Sequence, residues 1–102
     1  MRDVHVIGAG MTKFEKTPGR SLKEIAGPAV LDALQDAGLT PDAVQAAYVG
    51  NAVAGLVTGQ EMIRGQVLLR PLGIQAIPIF NVENACASAA TALAARAAQL
   101  SV

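Results

Sequence analysis

Cys86 is the one cysteine of the 102-residue chain, and its neighbours give it chemical interest. The stretch Asn81-Val82-Glu83-Asn84-Ala85-Cys86-Ala87-Ser88-Ala89-Ala90 changes from a strand-like pattern to a helix-forming one just before the thiol. A cysteine at a helix start meets unpaired backbone amides and the positive end of the helix dipole, and both favour the thiolate, the reactive form. A strand-to-helix turn also lifts a side chain clear of the sheet, the arrangement that nucleophile elbows use. Glu83 acts against this, because a nearby carboxylate opposes a second negative charge unless it points elsewhere. Free cysteine is also among the most buried residue types and often only fills space. Spacing alone leaves both readings open.

Other chemistry-bearing residues are less pointed. His5, the one histidine, falls in an alternating segment and reads as a core or edge residue of a strand. Gly8-Ala9-Gly10 after that segment resembles the opening of a dinucleotide fingerprint. Lys13 occupies the place of the third small residue, however, and a loop follows, so nucleotide binding is not inferred. Arg64 and Arg70 read as solvated helix charges and receive no role. The segment from Gly55 to Gln60 reads as a loop, either plain surface or close to a subunit interface.

The elements that must position Cys86 follow from periodicity. Residues 4–8 alternate and are β-branched, which predicts a first strand. Residues 15–20 form a polar loop. Ser21 and Glu24 have capping-box spacing, and apolar residues then recur from Leu22 to Ala37 at three- and four-residue intervals, predicting a helix that Gly38 stops. Pro28 conflicts with it, since an interior proline costs about 3 kcal/mol, so a kink or a helix beginning near Pro28 is expected. Thr40-Pro41-Asp42-Ala43 reads as a cap followed by a proline at the first helical position and predicts a short helical turn. A second strand is expected over 46–54, a helical segment over about 60–70 ended by Pro71 and Gly73, and a third strand over 77–82. Asn84 has the residue type of a cap for a last helix over about 86–100. With a narrow polar stripe of Ser88, Thr91, Arg96 and Gln99, that helix is expected to be enclosed on most sides.

The order βαβαβα predicts an α/β fold, with a mostly parallel sheet covered by helices. Charged residues are 16% of the chain and hydrophobic ones 52%, with twenty alanines. Average domains carry about a quarter charged residues, so a surface largely covered by another segment or subunit is expected. Lys plus Arg (8) equals Asp plus Glu (8), so no net field draws the chain to nucleic acid or to an anionic membrane. Arg64, Gln66 and Arg70 break the most apolar stretch, and no membrane span is expected. The start lacks a signal-peptide pattern, and a single cysteine gives neither a disulfide framework nor a local metal cluster, so a reducing, cytoplasmic location is expected. The pattern stops in a helix with no closing strand, which leads us to expect further native sequence after Val102 or a second chain that completes the layer.

Five stretches carry a resemblance to a known family: Val6-Ile7-Gly8-Ala9-Gly10-Met11-Thr12-Lys13-Phe14; Ser21-Leu22 through Ala37-Gly38-Leu39; Val49-Gly50-Asn51; Leu72-Gly73-Ile74 leading to Pro78; and Val82-Glu83-Asn84-Ala85-Cys86-Ala87-Ser88. Together they resemble the thiolases, in the branch of sterol-carrier-protein thiolases and archaeal acetyl-transferring thiolases, over essentially the whole chain. The last stretch is the most specific. The resemblance implies a thiolase-like fold, with residues 1–102 as an incomplete N-terminal domain. It also implies acyl transfer from acyl-coenzyme A, with Cys86 as acyl acceptor, in thiolysis or Claisen condensation. It implies a coenzyme A thioester as substrate, no covalently bound cofactor, and a homo-oligomer or a completing C-terminal chain as partner. Condensation also needs a base, a proton donor and an oxyanion hole. Those groups lie on the C-terminal half of family chains, so this chain alone is expected to be inactive. Ala89 departs from the glycine usual after Ala-Ser in the motif. Two other readings remain: a thiolase-like aldolase that does not form an acyl-enzyme, which the presence of Cys86 argues against, and a non-catalytic interaction subunit, which the low charge favours.

Overall fold

Ser21 opens the first helix in the way its spacing predicts. Its hydroxyl accepts from the Glu24 amide at 3.3 Å and donates to the Glu24 carboxylate at 3.0 Å. Helix α1 (Leu22–Ala37) then runs through Pro28 without interruption, so it begins at Leu22 and not at the proline. Pro28 and Glu24, whose carbonyl loses its usual donor, are both exposed, so that carbonyl is open to solvent. Gly38 ends the helix with φ 72°, and the Leu39 amide returns to the Leu34 carbonyl at 2.9 Å. This is the six-to-one bond of a glycine-capped helix end.

The computed structural model describes residues 3–16, 19–55, 59 and 62–100. After α1 come a 3₁₀ turn (Pro41–Ala43), strand β1 (Ala47–Gly50), helix α2 (Arg64–Leu69) and a 3₁₀ turn (Arg70–Leu72). Strand β2 (Ile79–Val82), a 3₁₀ turn (Ala85–Ala87) and helix α3 (Ser88–Leu100) complete the order. Gly73 ends the α2 region at φ 86°, as expected of a glycine after the last turn. Parts of three expected features, the loop over 15–20, the loop over 55–60 and the start of the helix over 60–70, lie outside the described residues.

Strands β1 and β2 pair in parallel, with Ala47 opposite Ile79 and Gly50 opposite Val82. They are shorter than the expected 46–54 and 77–82. Alternation sends Ala47, Val49 and Ile79 to one face, where they meet buried Leu68, Leu69 and Ile74 together with Ala26, Val30 and Leu34 of α1. On the other face Tyr48 and Phe80 are opposite each other, with ring centroids 4.7 Å apart. Helix α3 packs on this second face, chiefly against β1.

Two expectations are corrected. Residues 4–8 form no strand, although their alternation predicts one. A strand needs a neighbour for its backbone groups, and this segment has α1 beside it instead. The Ala9 amide donates to the Asp36 carboxylate at 3.0 Å. An added Cβ at Gly8 would sit 2.5 Å from the Ala33 carbonyl oxygen, and one at Gly10 would sit 2.2 Å from that of Ala29. The glycines therefore let the segment's backbone lie on the Ala29, Ala33, Ala37 row, a steric role unrelated to nucleotides. The second correction concerns α3. Ala92 and Ser88 are buried, but Ala89, Ala90, Leu93, Ala94 and Ala95 are exposed, so the helix is covered on one side and open elsewhere.

Replacing Gly10 with valine places branched carbons against the α1 backbone and lifts the segment. We expect Gly10→Val to speed exchange of the Ala9 amide by about tenfold or more, with protection of the β1 amides retained. Unchanged Ala9 exchange would refute the close-packing account.

Candidate active site

Parallel pairing brings the C-terminal ends of β1 and β2 side by side, the edge at which open α/β sheets gather functional groups. Directly after β2 the chain passes through Glu83 and Asn84 into the 3₁₀ turn Ala85–Ala87, and Cys86 is the middle residue of that turn. Its side chain is free and exposed. The thiol thus stands on a tight turn just ahead of the 13-residue α3, as the strand-to-helix reading required, and is not sunk among aliphatic side chains.

The turn is strained and tied. Ala85 has φ 48°, in the left-handed region that an L-residue with a Cβ enters at a cost of about 1–2 kcal/mol. Glu83 places a carboxylate oxygen 2.5 Å from the Ala85 amide, so its charge is committed to the backbone just before the thiol. The Ser88 hydroxyl accepts from the Asn84 amide at 2.8 Å and donates to the Ala85 carbonyl at 2.7 Å. Thr91 donates to the Ala87 carbonyl at 2.9 Å and accepts from the Asn84 side-chain amide at 3.0 Å. Asn84 is therefore not a side-chain cap, contrary to expectation: its side chain donates across the turn, and glutamate and serine oxygens take the free amides.

Ser88 is the residue of the turn that sequence reasoning misplaced. Assigned to the polar stripe of a helix, it is 5% exposed and lies behind the turn. The available signal was its place four residues after Asn84, within capping reach of that amide. Asn81 was missed in the same way. Its side-chain oxygen accepts from the Gly65 amide at 2.6 Å, and its nitrogen donates to the Gln66 side chain at 2.7 Å. It thereby caps α2, whose own preceding residue, Ile63, gives no side-chain cap. Asn51 receives the Ala54 amide at 2.9 Å and Arg64 Nη1 at 3.4 Å.

A hollow of about 140 Å³ at the strand ends is lined by Asn51, Ile63, Arg64, Asn81 and Glu83 among others. A second of about 300 Å³ lies between Tyr48, Gly50 and the α3 residues Ala89, Ala92 and Arg96. Cys86 lines neither. His5 is exposed on the N-terminal segment. Among the described residues, no three His, Cys, Asp or Glu side chains are grouped to hold a metal ion, and no helix is long and apolar enough to cross a membrane.

The chain is similar to several known proteins. A family model described as "Thiolase, N-terminal domain" matches residues 4–102. The chain is 41% identical over 93 residues to the acetyl-CoA acetyltransferase of Methanocaldococcus jannaschii, covering 91% of this chain and 24% of that protein. It is 42% identical over 94 residues to sterol carrier protein 2 of Gallus gallus, covering 90% of this chain and 16% of that protein. A benzoylsuccinyl-CoA thiolase subunit of Thauera aromatica is 37% identical over 94 residues, with 90% of this chain and 23% of that protein covered. The chain thus spans about a quarter or less of the length of these relatives. Among solved structures, 3-oxoacyl-[acyl-carrier-protein] synthase III from Aquifex aeolicus VF5 superposes with a TM-score of 0.68 at 16% identity, over 86% of this chain and 28% of that chain. That likeness is one of fold.

Asn81→Leu keeps the side-chain size and removes the cap, leaving the Gly65 amide without its acceptor. We expect it to lower unfolding free energy by about 1–3 kcal/mol in urea titration. Asn81→Asp, which keeps an oxygen in place, should cost less; equal losses would show that the cap contributes nothing.

Proposed function

The chain belongs to the thiolase family and has the thiolase-like α/β fold, and on that premise we propose that Cys86 is the acyl-accepting nucleophile of a transferase acting on coenzyme A thioesters. What supports the reading is the placement of the only thiol: exposed, at the C-terminal edge of a parallel strand pair, on a turn whose flanking backbone groups are held by Glu83, Ser88 and Thr91. An ordered turn of this kind presents sulfur in a defined direction, which is what attack on a carbonyl requires.

In the first step the Cys86 thiolate attacks the thioester carbonyl carbon. A tetrahedral oxyanion forms and collapses, the carbon–sulfur bond to coenzyme A breaks, and the departing thiolate takes a proton. One thioester replaces another, so the step is close to balanced in energy. The acyl group then passes to a second thioester, or in reverse a 3-ketoacyl thioester is cleaved. Coenzyme A enters as part of the substrate, and no covalently held cofactor takes part.

Condensation needs a further base and proton donor, and the chain has one histidine and one cysteine. In this reading residues 1–102 are the opening part of an N-terminal thiolase domain. They accept the acyl group but do not turn over, and the remaining groups come from a C-terminal part of the fold or from a partner chain. A second reading, a non-catalytic interaction subunit, draws on exposed apolar residues such as Val6, Ile7, Phe14 and Leu93, with Phe14 90% exposed.

Intact-mass spectrometry after incubation with acetyl-coenzyme A tests the proposal. The expected result is one acetyl group on the peptide holding Cys86 and none in Cys86→Ala. No adduct, under conditions where iodoacetamide labels the thiol, would overturn the acyl-transfer reading. Self-association by sedimentation without an adduct would favour the interaction subunit.

A further inference from the structure

We propose that Ser88 is the positioning residue for Cys86, acting through the backbone of the turn. This rests on the reading of Cys86 as nucleophile and goes beyond it, because it names the group that sets the direction of the thiol. Ser88 is the one polar residue among the described residues that is buried, at 5% exposure, and its hydroxyl is used twice. It accepts from the Asn84 amide and donates to the Ala85 carbonyl, two groups on the N-terminal side of Cys86, while its own Cα belongs to the first residue of α3 on the C-terminal side. The oxygen therefore closes a loop around Cys86. It holds the peptide unit that precedes Asn84 and the one that follows Ala85, and so brackets the residue at φ 48°.

The left-handed Ala85 does not persist by its own preference, since an alanine in this region is disfavoured and relaxes to ordinary φ when its neighbours allow. The serine bonds supply the constraint. Glu83 and Thr91 add to it at the Ala85 amide and the Ala87 carbonyl, while the Ser88 hydroxyl takes the Asn84 amide and shares the Ala85 carbonyl with the Ser88 backbone amide. Ser88 is itself seated against the sheet, because the backbone of β1 at Gly50 lies directly against it: a Cβ at Gly50 would be 2.7 Å from the Ser88 carbonyl carbon. The sheet thus fixes Ser88, Ser88 fixes Ala85, and Ala85 fixes where Cys86 points.

Removing the hydroxyl in Ser88→Ala leaves the thiol exposed and chemically present but lets the turn sample other conformations. A small reagent that attacks from any direction is little affected, whereas a reaction that needs one approach is slowed. The test compares two rates on the whole chain at one pH: acetylation of Cys86 by acetyl-coenzyme A and alkylation by iodoacetamide. Ser88→Ala is expected to lower the acetylation rate by about tenfold or more with alkylation within about threefold, and Ser88→Thr, which keeps the hydroxyl, to recover part of the loss. Equal changes in both rates, or no change in either, would overturn the proposal. Exchange of the Asn84 amide is read in parallel. It should be protected in the wild type and lose about tenfold or more of its protection in Ser88→Ala, with β1 amides unchanged. If the wild-type chain forms no acetyl adduct, the nucleophile reading has failed by itself. The Asn84 exchange then decides the clamp: protection lost on substitution upholds it, and an unprotected amide in the wild type ends it.

Discussion

Between the sheet and the helix that follows the thiol there is no room for a side chain at Gly50. A Cβ there would lie 2.7 Å from the carbonyl carbon of Ser88 and 2.8 Å from the amide nitrogen of Ala89, closer than such atoms approach in folded chains. Any larger residue would push α3 away from β1. Gly50 is also the last residue of β1 and pairs with Val82, the last of β2. The same contact therefore sets the height of the turn over the strand ends. Alanine-rich sequence makes α3 easy to form, but its seat on the sheet comes from this approach of backbone to backbone.

The two faces of the strand pair are unequal in a way that explains the composition. One face meets α1 and α2 and contains the buried leucines and Ile74. The other is covered along one line, by Ser88 and Ala92, while Leu93 projects outward at 64% exposure. A surface with few charges and many apolar atoms is the counterpart of this uneven cover. With few fully buried side chains, the fold leans on hydrogen-bonded caps of about 1 kcal/mol each: the Ser21 cap, the Gly38 helix end and the Asn81 cap on α2.

The polar groups around Cys86 divide into two kinds. Glu83, Thr91 and Ser88 all engage backbone atoms of the turn, so they organise conformation. Asn51, Arg64 and Asn81 gather on the other side of the strand ends, where they fix the start of α2 and line a hollow. Neither set includes the histidine, which lies on the N-terminal segment. The described residues accordingly present the Cys86 sulfur on an exposed, tied turn.

Much of this was legible in the residues alone. The Ser21–Glu24 cap, the Gly38 stop, the Thr40–Pro41 turn and the placement of Cys86 between a strand and a helix depend on contacts a few residues apart, and such contacts are written in spacing. The unpaired state of residues 4–8, the exposed side of α3, the Asn81 cap sixteen residues from Gly65 and the burial of Ser88 were not legible. Alternation states that a segment can be a strand, but only a neighbouring backbone makes it one. A serine in a helical stripe is solvated or buried according to what packs against it. Tertiary structure decided those four features because each depends on which distant backbone comes within hydrogen-bond or van der Waals reach, and periodicity along one segment has no information about that distance.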